Sequence, residues 1–168
     1  TVSAHLDGVA VSNGLDWSPD GKTFYHVDSG PLTISAFDFD LEAGEIANRR
    51  TLAAFPRGQT PDGLCVDAEG CVWVAVFGGS EVRRYAPDGA QVGVVDLPVT
   101  GVTSCAFGGD AGDQLFVTTL GGPIPDDAAI NCGLTPAQAA EMVAPAAAGG
   151  LFVFKAPSPG RPASPFPA

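Results

Sequence analysis

Positive charge is scarce in this chain: eight Lys and Arg stand against nineteen Asp and Glu, a formal net charge of −11. Phosphate backbones are bound through clustered cations, so the balance argues against a nucleic-acid partner. No run of eighteen apolar residues occurs, which leaves no candidate helical membrane span. Cysteine is sparse too. Cys65, Cys71, Cys105 and Cys132 show no paired C-x-x-C spacing, and a structural zinc site is not expected. Cys65 and Cys71 flank a predicted turn and could be bridged, but reduced thiols of a cytosolic protein are the plainer reading. Twenty-two Gly and fifteen Pro in 168 residues speak against a helical bundle and for many short strands joined by turns. The length fits one domain, and 45% apolar residues suffice for a core.

What is present is a repeat. "GLDWSPDGKTFYHVDS" (14–29) reads as a strand, a Pro-Asp-Gly turn and a second strand. "GLCVDAEGCVWVAVFG" (63–78) repeats it after 49 residues, and "SCAFGGDAGDQLFVTTLG" (104–121) repeats it again. The first two hairpins are followed by strands of clearer alternation, "LTISAFDFD" (32–40) and "EVRRYAPDG" (81–89), and then by "RRTLAAF" (49–55) and "QVGVVDLP" (91–98). Four strands per 40–50-residue unit predict the blades of a β-propeller. About three blades are expected, fewer than the four to eight that close a propeller. The chain starts at Thr1 in mid-pattern and reads as the C-terminal part of a larger propeller.

The third unit is interrupted at 123–147, where Thr135 and Pro136 suit the N-cap and first position of a short helix over Thr135–Val143. "GGLFVFKAP" (149–157) then supplies its next strand. The Pro-rich tail at 157–168 reads as an extended closing segment or a loose end.

Two polar residues stand directly before a Gly-Leu that opens a blade, Asn13 in "SNGL" and Asp62 in "PDGL". Each reads either as a turn or strand-entry residue or as a ligand aimed at the propeller axis, where equivalent positions of successive blades converge. Their oxygens are hard donors, suited to Ca²⁺, Mg²⁺ or Mn²⁺ and tolerable to Zn²⁺. Asp20 and Asp88 lie inside hairpins and read as turn residues. His26 is expected to be packed or surface histidine, Asp28 and Ser29 turn anchors, Ser104 core, and Trp17 and Trp73 packing between blades.

"SNGLDWSPDGKTFYHVDS", "PDGLCVDAEGCVWVA", "TSCAFGGDAGDQLFVT" and "AGGLFVF" together resemble, in that order, the senescence marker protein 30/gluconolactonase (regucalcin-like) family. The resemblance implies an all-β, six-bladed propeller that holds one divalent metal cation and hydrolyses small lactones. It implies metal ligands at Asn13 and Asp62, with Asp62 also the general base for the attacking water. The family's third ligand, a Glu, and its substrate-orienting Arg and Asn belong to an N-terminal half with no counterpart here. The expected function is therefore metal-dependent lactone hydrolysis, incomplete in this chain. A non-catalytic calcium-binding or interaction propeller, or an inactive fragment, is the alternative.

Overall fold

The computed structural model describes residues 2–125, 129–130 and 134–161. The alternating segments form strands β1 (Ser12–Trp17), β2 (Thr23–Asp28), β3 (Thr33–Asp40), β4 (Glu45–Ala54), β5 (Thr60–Val66), β6 (Val72–Phe77), β7 (Glu81–Tyr85) and β8 (Gln91–Asp96). They are followed by β9 (Val102–Gly108), β10 (Gln114–Thr119), helix α1 (Pro136–Val143) and β11 (Leu151–Lys155). The strands make three antiparallel meanders, β1-β2-β3-β4, β5-β6-β7-β8 and β9-β10-β11. These are three blades of a partial β-propeller, and among the described residues no sheet closes on itself. The third blade differs from the four-strand expectation by having three described strands.

In blades 1 and 2 the second strands are the most deeply buried. All six residues of β6 are buried, and β2 is buried from Phe24 to Asp28. A sheet covered on both faces has no solvent side, so its central strand loses the polar alternation of an outer strand. Tyr25, Val27, Ile34, Leu64, Val66 and Val74 fill the seam between blades 1 and 2. Trp73, Val82, Val102, Cys105, Leu115 and Val117 fill the seam between blades 2 and 3. Trp73 thus packs between blades, meeting Phe107 and Phe154. Trp17 lies on the face of blade 1 that has no neighbouring blade among the described residues. It packs on Phe24 and Phe39 of its own sheet, on the face turned away from blade 2.

Glycine lets the inner strands touch. A Cβ on Gly14 would lie 2.3 Å from the Leu64 nitrogen, and one on Gly63 would lie 2.7 Å from the Ser104 Cα. Only a residue without a side chain permits β1 to approach β5, and β5 to approach β9, at these points.

At the opposite end of the blades, residues 156–161 run back beneath the hairpin turns. The Ala68 N–H donates to the Pro159 carbonyl at 2.8 Å, and Gly160 bridges to Asp67. Arg161 reaches Asp16 of β1 at 2.9 Å, while the other Asp16 oxygen accepts the Val66 N–H of β5. One carboxylate therefore ties two blades and the strap together. The rest of the tail, 162–168, lies outside the described residues. α1 has the expected N-terminus, a capping box in which the Thr135 hydroxyl accepts the Gln138 N–H and the Gln138 side chain accepts the Thr135 N–H.

Candidate functional site

All three first strands carry one extra residue near their start. Ser12 pairs Asp28 and Leu15 pairs His26, three steps on β1 against two on β2. Pro61 pairs Val76 and Leu64 pairs Val74, and Val102 pairs Thr119 while Ser104 pairs Thr118. The residues inside these bulges are Asn13, Asp62 and Thr103, at equivalent positions of consecutive blades. A bulge re-aims a side chain that a regular ladder would direct into the sheet. The structure thus brings Asn13 and Asp62 together, with the Asn13 side chain near enough to favour the ionised Asp62 carboxyl. Thr103 is their blade-3 counterpart, and its hydroxyl meets that of Thr118 at 2.8 Å. Thr103 was not singled out from the sequence, because its blade lacks the Gly that follows Asn13 and Asp62.

Proton counting orients Asn13. The Ser29 hydroxyl has one hydrogen and spends it on the Pro61 carbonyl at 2.8 Å. Toward Asn13 it can only accept, so the Asn13 Nδ2 group faces it at 3.2 Å. The same amide nitrogen supports the Asp62 carboxylate. Asn13 Oδ1 accepts none of the hydrogen bonds among the described residues and remains as a hard oxygen donor beside a carboxylate. Ser29, expected as a turn anchor, instead links Asn13 to the strand that carries Asp62. Asp28 does anchor its turn. Burial opposes its charge, but N–H donors from Val11, Ala10 and Gly30 outweigh that and hold its carboxyl below the ordinary value.

Burial pushes the Asp62 carboxyl up to about 6, against hydrogen bonds from the Asn13 side chain and the Gly63 N–H. No Lys or Arg pairs with it among the described ion pairs. Charged groups removed from water are paired or coordinate metals. A carboxylate with no protein cation, next to an unpaired amide oxygen, therefore fits a divalent cation.

Other polar clusters are already satisfied. Asp67, Glu69 and Cys71 gather closely enough to hold an ion. Asp67, however, accepts from Trp73 Nε1 at 2.8 Å, Arg84 Nε at 2.9 Å and two backbone N–H groups. Arg84 occupies the place a cation would take, pairing with Glu69 as well. His26 is buried, with Ser12 Oγ 2.9 Å from its Nε2, and burial keeps its imidazole below the ordinary value despite Asp28. Asp20 and Asp88 accept N–H groups of their own turns. Cys65, Cys71 and Cys105 are free thiols. The partner facing Cys65 is Cys105, 3.7 Å away across the blade seam, and not Cys71. The Cys105 contact and burial hold the Cys65 thiol well above its ordinary value, far from an activated nucleophile. Cys132 lies outside the described residues.

The profile described as "SMP-30/Gluconolactonase/LRE-like region" matches residues 1–121. The chain belongs to the SMP-30/gluconolactonase family. Within that family it is 45% identical to the regucalcin of Gallus gallus over 121 residues, 71% of this chain and 40% of the relative. It therefore spans less than half the length of the curated relative it matches. Solved structures resemble it as well. A luciferin-regenerating enzyme superposes with a TM-score of 0.79 at 32% identity, covering 95% of this chain and 50% of that one. A calcium-binding regucalcin from Agrobacterium tumefaciens gives 0.72 at 26%, covering 91% and 48%. A gluconolactonase from Xanthomonas campestris gives 0.56 at 36%, covering 64% and 34%. Among the described residues no helix is long and apolar enough to cross a membrane.

Proposed function

We propose that Asn13 and Asp62 are the part of a metal-dependent lactonase site that this chain contributes, the metal being Ca²⁺, Zn²⁺, Mg²⁺ or Mn²⁺. The observation that carries the reading is the raised Asp62 carboxyl, without a protein cation, beside the unpaired Asn13 Oδ1. Family membership and the gluconolactonase and calcium-binding neighbours support it. The bound cation would polarise the carbonyl of a small lactone.

Asp62 does the proton work. Even in the cation-free protein a carboxyl near 6 is mostly ionised at neutral pH, the form a general base needs. It takes a proton from water as the water oxygen adds to the lactone carbonyl carbon. When the ring C–O bond breaks, that proton passes to the departing ring oxygen, leaving a hydroxy acid. Asn13 positions its oxygen through Ser29 and favours the ionised form of Asp62.

The test is hydrolysis of D-glucono-δ-lactone by the complete protein, with and without EDTA. Activity should fall at least a hundredfold on chelation and return with added cation, and Asp62→Asn should remove it, as expected for loss of a general base. Turnover indifferent to chelation or to Asp62→Asn would overturn the proposal. A non-catalytic calcium-binding role is the second reading, favoured by the all-oxygen donor pair. It predicts cation binding with no lactone turnover in the same experiment.

A further inference from the structure

Two thiols meet across a blade seam. Cys65 belongs to β5, the strand that also carries Asp62, and Cys105 belongs to β9. Their sulfurs lie 3.7 Å apart. Both sit in the apolar cluster between blades 2 and 3, among Trp73, Val102 and Val117. The seam is tight because β5 and β9 touch beside them. A Cβ on Gly63 would stand 2.7 Å from the Ser104 Cα, and Ser104 is the residue before Cys105.

A disulfide holds its sulfurs about 2.05 Å apart, so this pair would close by roughly 1.7 Å. Rotation about the Cα–Cβ bonds between staggered positions moves a sulfur on that scale. The two residues are 40 positions apart, so only the stacking of blades brings them face to face. Cys71 is placed differently. It lies with Asp67 and Glu69 at the turn of its hairpin, away from this pair.

The two thiols are not equivalent. Cys65 is half-buried and open to a small oxidant, whereas Cys105 is buried, its sulfur 3.5 Å from the Trp73 carbonyl. Contact with Cys105, burial and the Asp16 and Asp67 carboxylates all hold the Cys65 thiol well above its ordinary value. Little thiolate forms near neutrality, which keeps the pair reduced at rest. Once Cys65 is oxidised the situation reverses. A second sulfur already in contact captures the sulfenic acid before further peroxide can take it to the sulfinic acid.

We propose that Cys65 and Cys105 are a paired oxidation site, where hydrogen peroxide converts two facing thiols into a disulfide that joins blade 2 to blade 3. The Cys65 sulfur attacks one peroxide oxygen and the O–O bond breaks, giving the sulfenic acid and one water. The Cys105 sulfur then attacks the Cys65 sulfur. The S–O bond breaks, and the departing hydroxide takes the Cys105 thiol proton to become a second water. The two sulfurs lose two electrons and the peroxide gains them. The cross-link fastens the strand bearing Asp62 to its neighbour β9. Nothing in this chemistry depends on lactone hydrolysis.

The experiment treats the reduced complete protein with hydrogen peroxide in EDTA at mildly alkaline pH, blocks the remaining thiols and maps the peptides by mass without reductant. The Cys65 and Cys105 peptides should appear joined, two hydrogens lighter than their sum, and dithiothreitol should separate them. In Cys105→Ser the linked peptide should be absent and Cys65 should instead be labelled by dimedone, which traps a sulfenic acid. In Cys65→Ser, Cys105 should stay reduced about tenfold longer than in the parent, because the exposed entry point is gone. The parent map decides the matter even where a variant fails to fold. Both thiols left free, Cys65 carried to the sulfinic acid without a cross-link, or Cys65 bridged to any other cysteine would each overturn the proposal.

Discussion

Asp62 is where stability and chemistry conflict. A carboxyl whose folded value of about 6 lies above its unfolded value binds its proton more tightly in the native state. Its contribution to stability is thus greatest at low pH and is lost as pH rises through about 6. At pH 8 without added cation, Asp62→Asn should therefore stabilise the protein by about 1–3 kcal/mol, or roughly 2–8 °C in melting temperature. Thermal melts in EDTA check this, and an unchanged or lower melting point for the Asn variant would contradict it. Ser29 acts at the same scale by orienting the Asn13 amide. Ser29→Ala should weaken Mn²⁺ or Ca²⁺ affinity about tenfold, as expected for loss of a partner that orients a ligand. Calorimetric titration of the complete protein gives the answer directly, and parental affinity would mean that Asn13 needs no such support.

Asn13 and Asp62 stand out in the sequence because a polar residue before Gly-Leu recurs at the blade period. That pattern fits a turn residue as well as a ligand, and only the family resemblance implied the second. Ser29 and Thr103 do not stand out. Ser29 looks like any turn residue until Pro61, from the next blade, arrives to take its hydrogen. Thr103 is equivalent to Asn13 and Asp62 only through a bulge, a property of pairing between strands and not of the chain alone.

Among the elements, α1 shows how a local rule and a tertiary contact divide the work. Thr135, Pro136 and Gln138 specify where the helix begins, and this is visible in the sequence. What holds α1 in place is the burial of Ala139 and Met142 against Phe77. Thr135→Ala should cost about 1 kcal/mol of local stability. Amides of α1 should then exchange with solvent roughly fivefold faster while the blades keep their protection. Equal exchange in parent and variant would remove the cap from this account. The outer strand β4 uses a different device. Asn48 sits at φ 51° beside a register shift, and Glu45 and Arg50 are exposed charges on the strand, which together discourage edge pairing with another sheet.

At the scale of the molecule, two blade faces have no neighbouring blade among the described residues. On blade 1, Leu15, Trp17, Phe24, Phe39 and Ile46 line a groove of about 580 Å³, crossed by Ser3, His5 and Leu6. On blade 3, Leu151 and Val153 are more than half exposed. Apolar faces of this kind favour association. The 168-residue chain expressed alone should self-associate with rising concentration, read by light scattering and by a blue shift of Trp17 fluorescence. A monodisperse monomer throughout the micromolar range would count against it.

The all-β class, the turns and the blade repeat follow from the sequence by itself, because each depends on residue type at short or periodic spacing. The ligand role of Asn13 and Asp62, by contrast, came only from the family resemblance. The sequence also places an insertion at 123–147 but not the end of the blades it would cover. That was decided by strand direction. A long connection leaving β10 must emerge beside the strand starts, and Phe77 then gives it an apolar surface on which to settle. The orientation of Asn13 and the meeting of Cys65 with Cys105 were likewise decided in three dimensions. Each depends on which atom of a distant segment comes within hydrogen-bonding distance, and no local pattern encodes that.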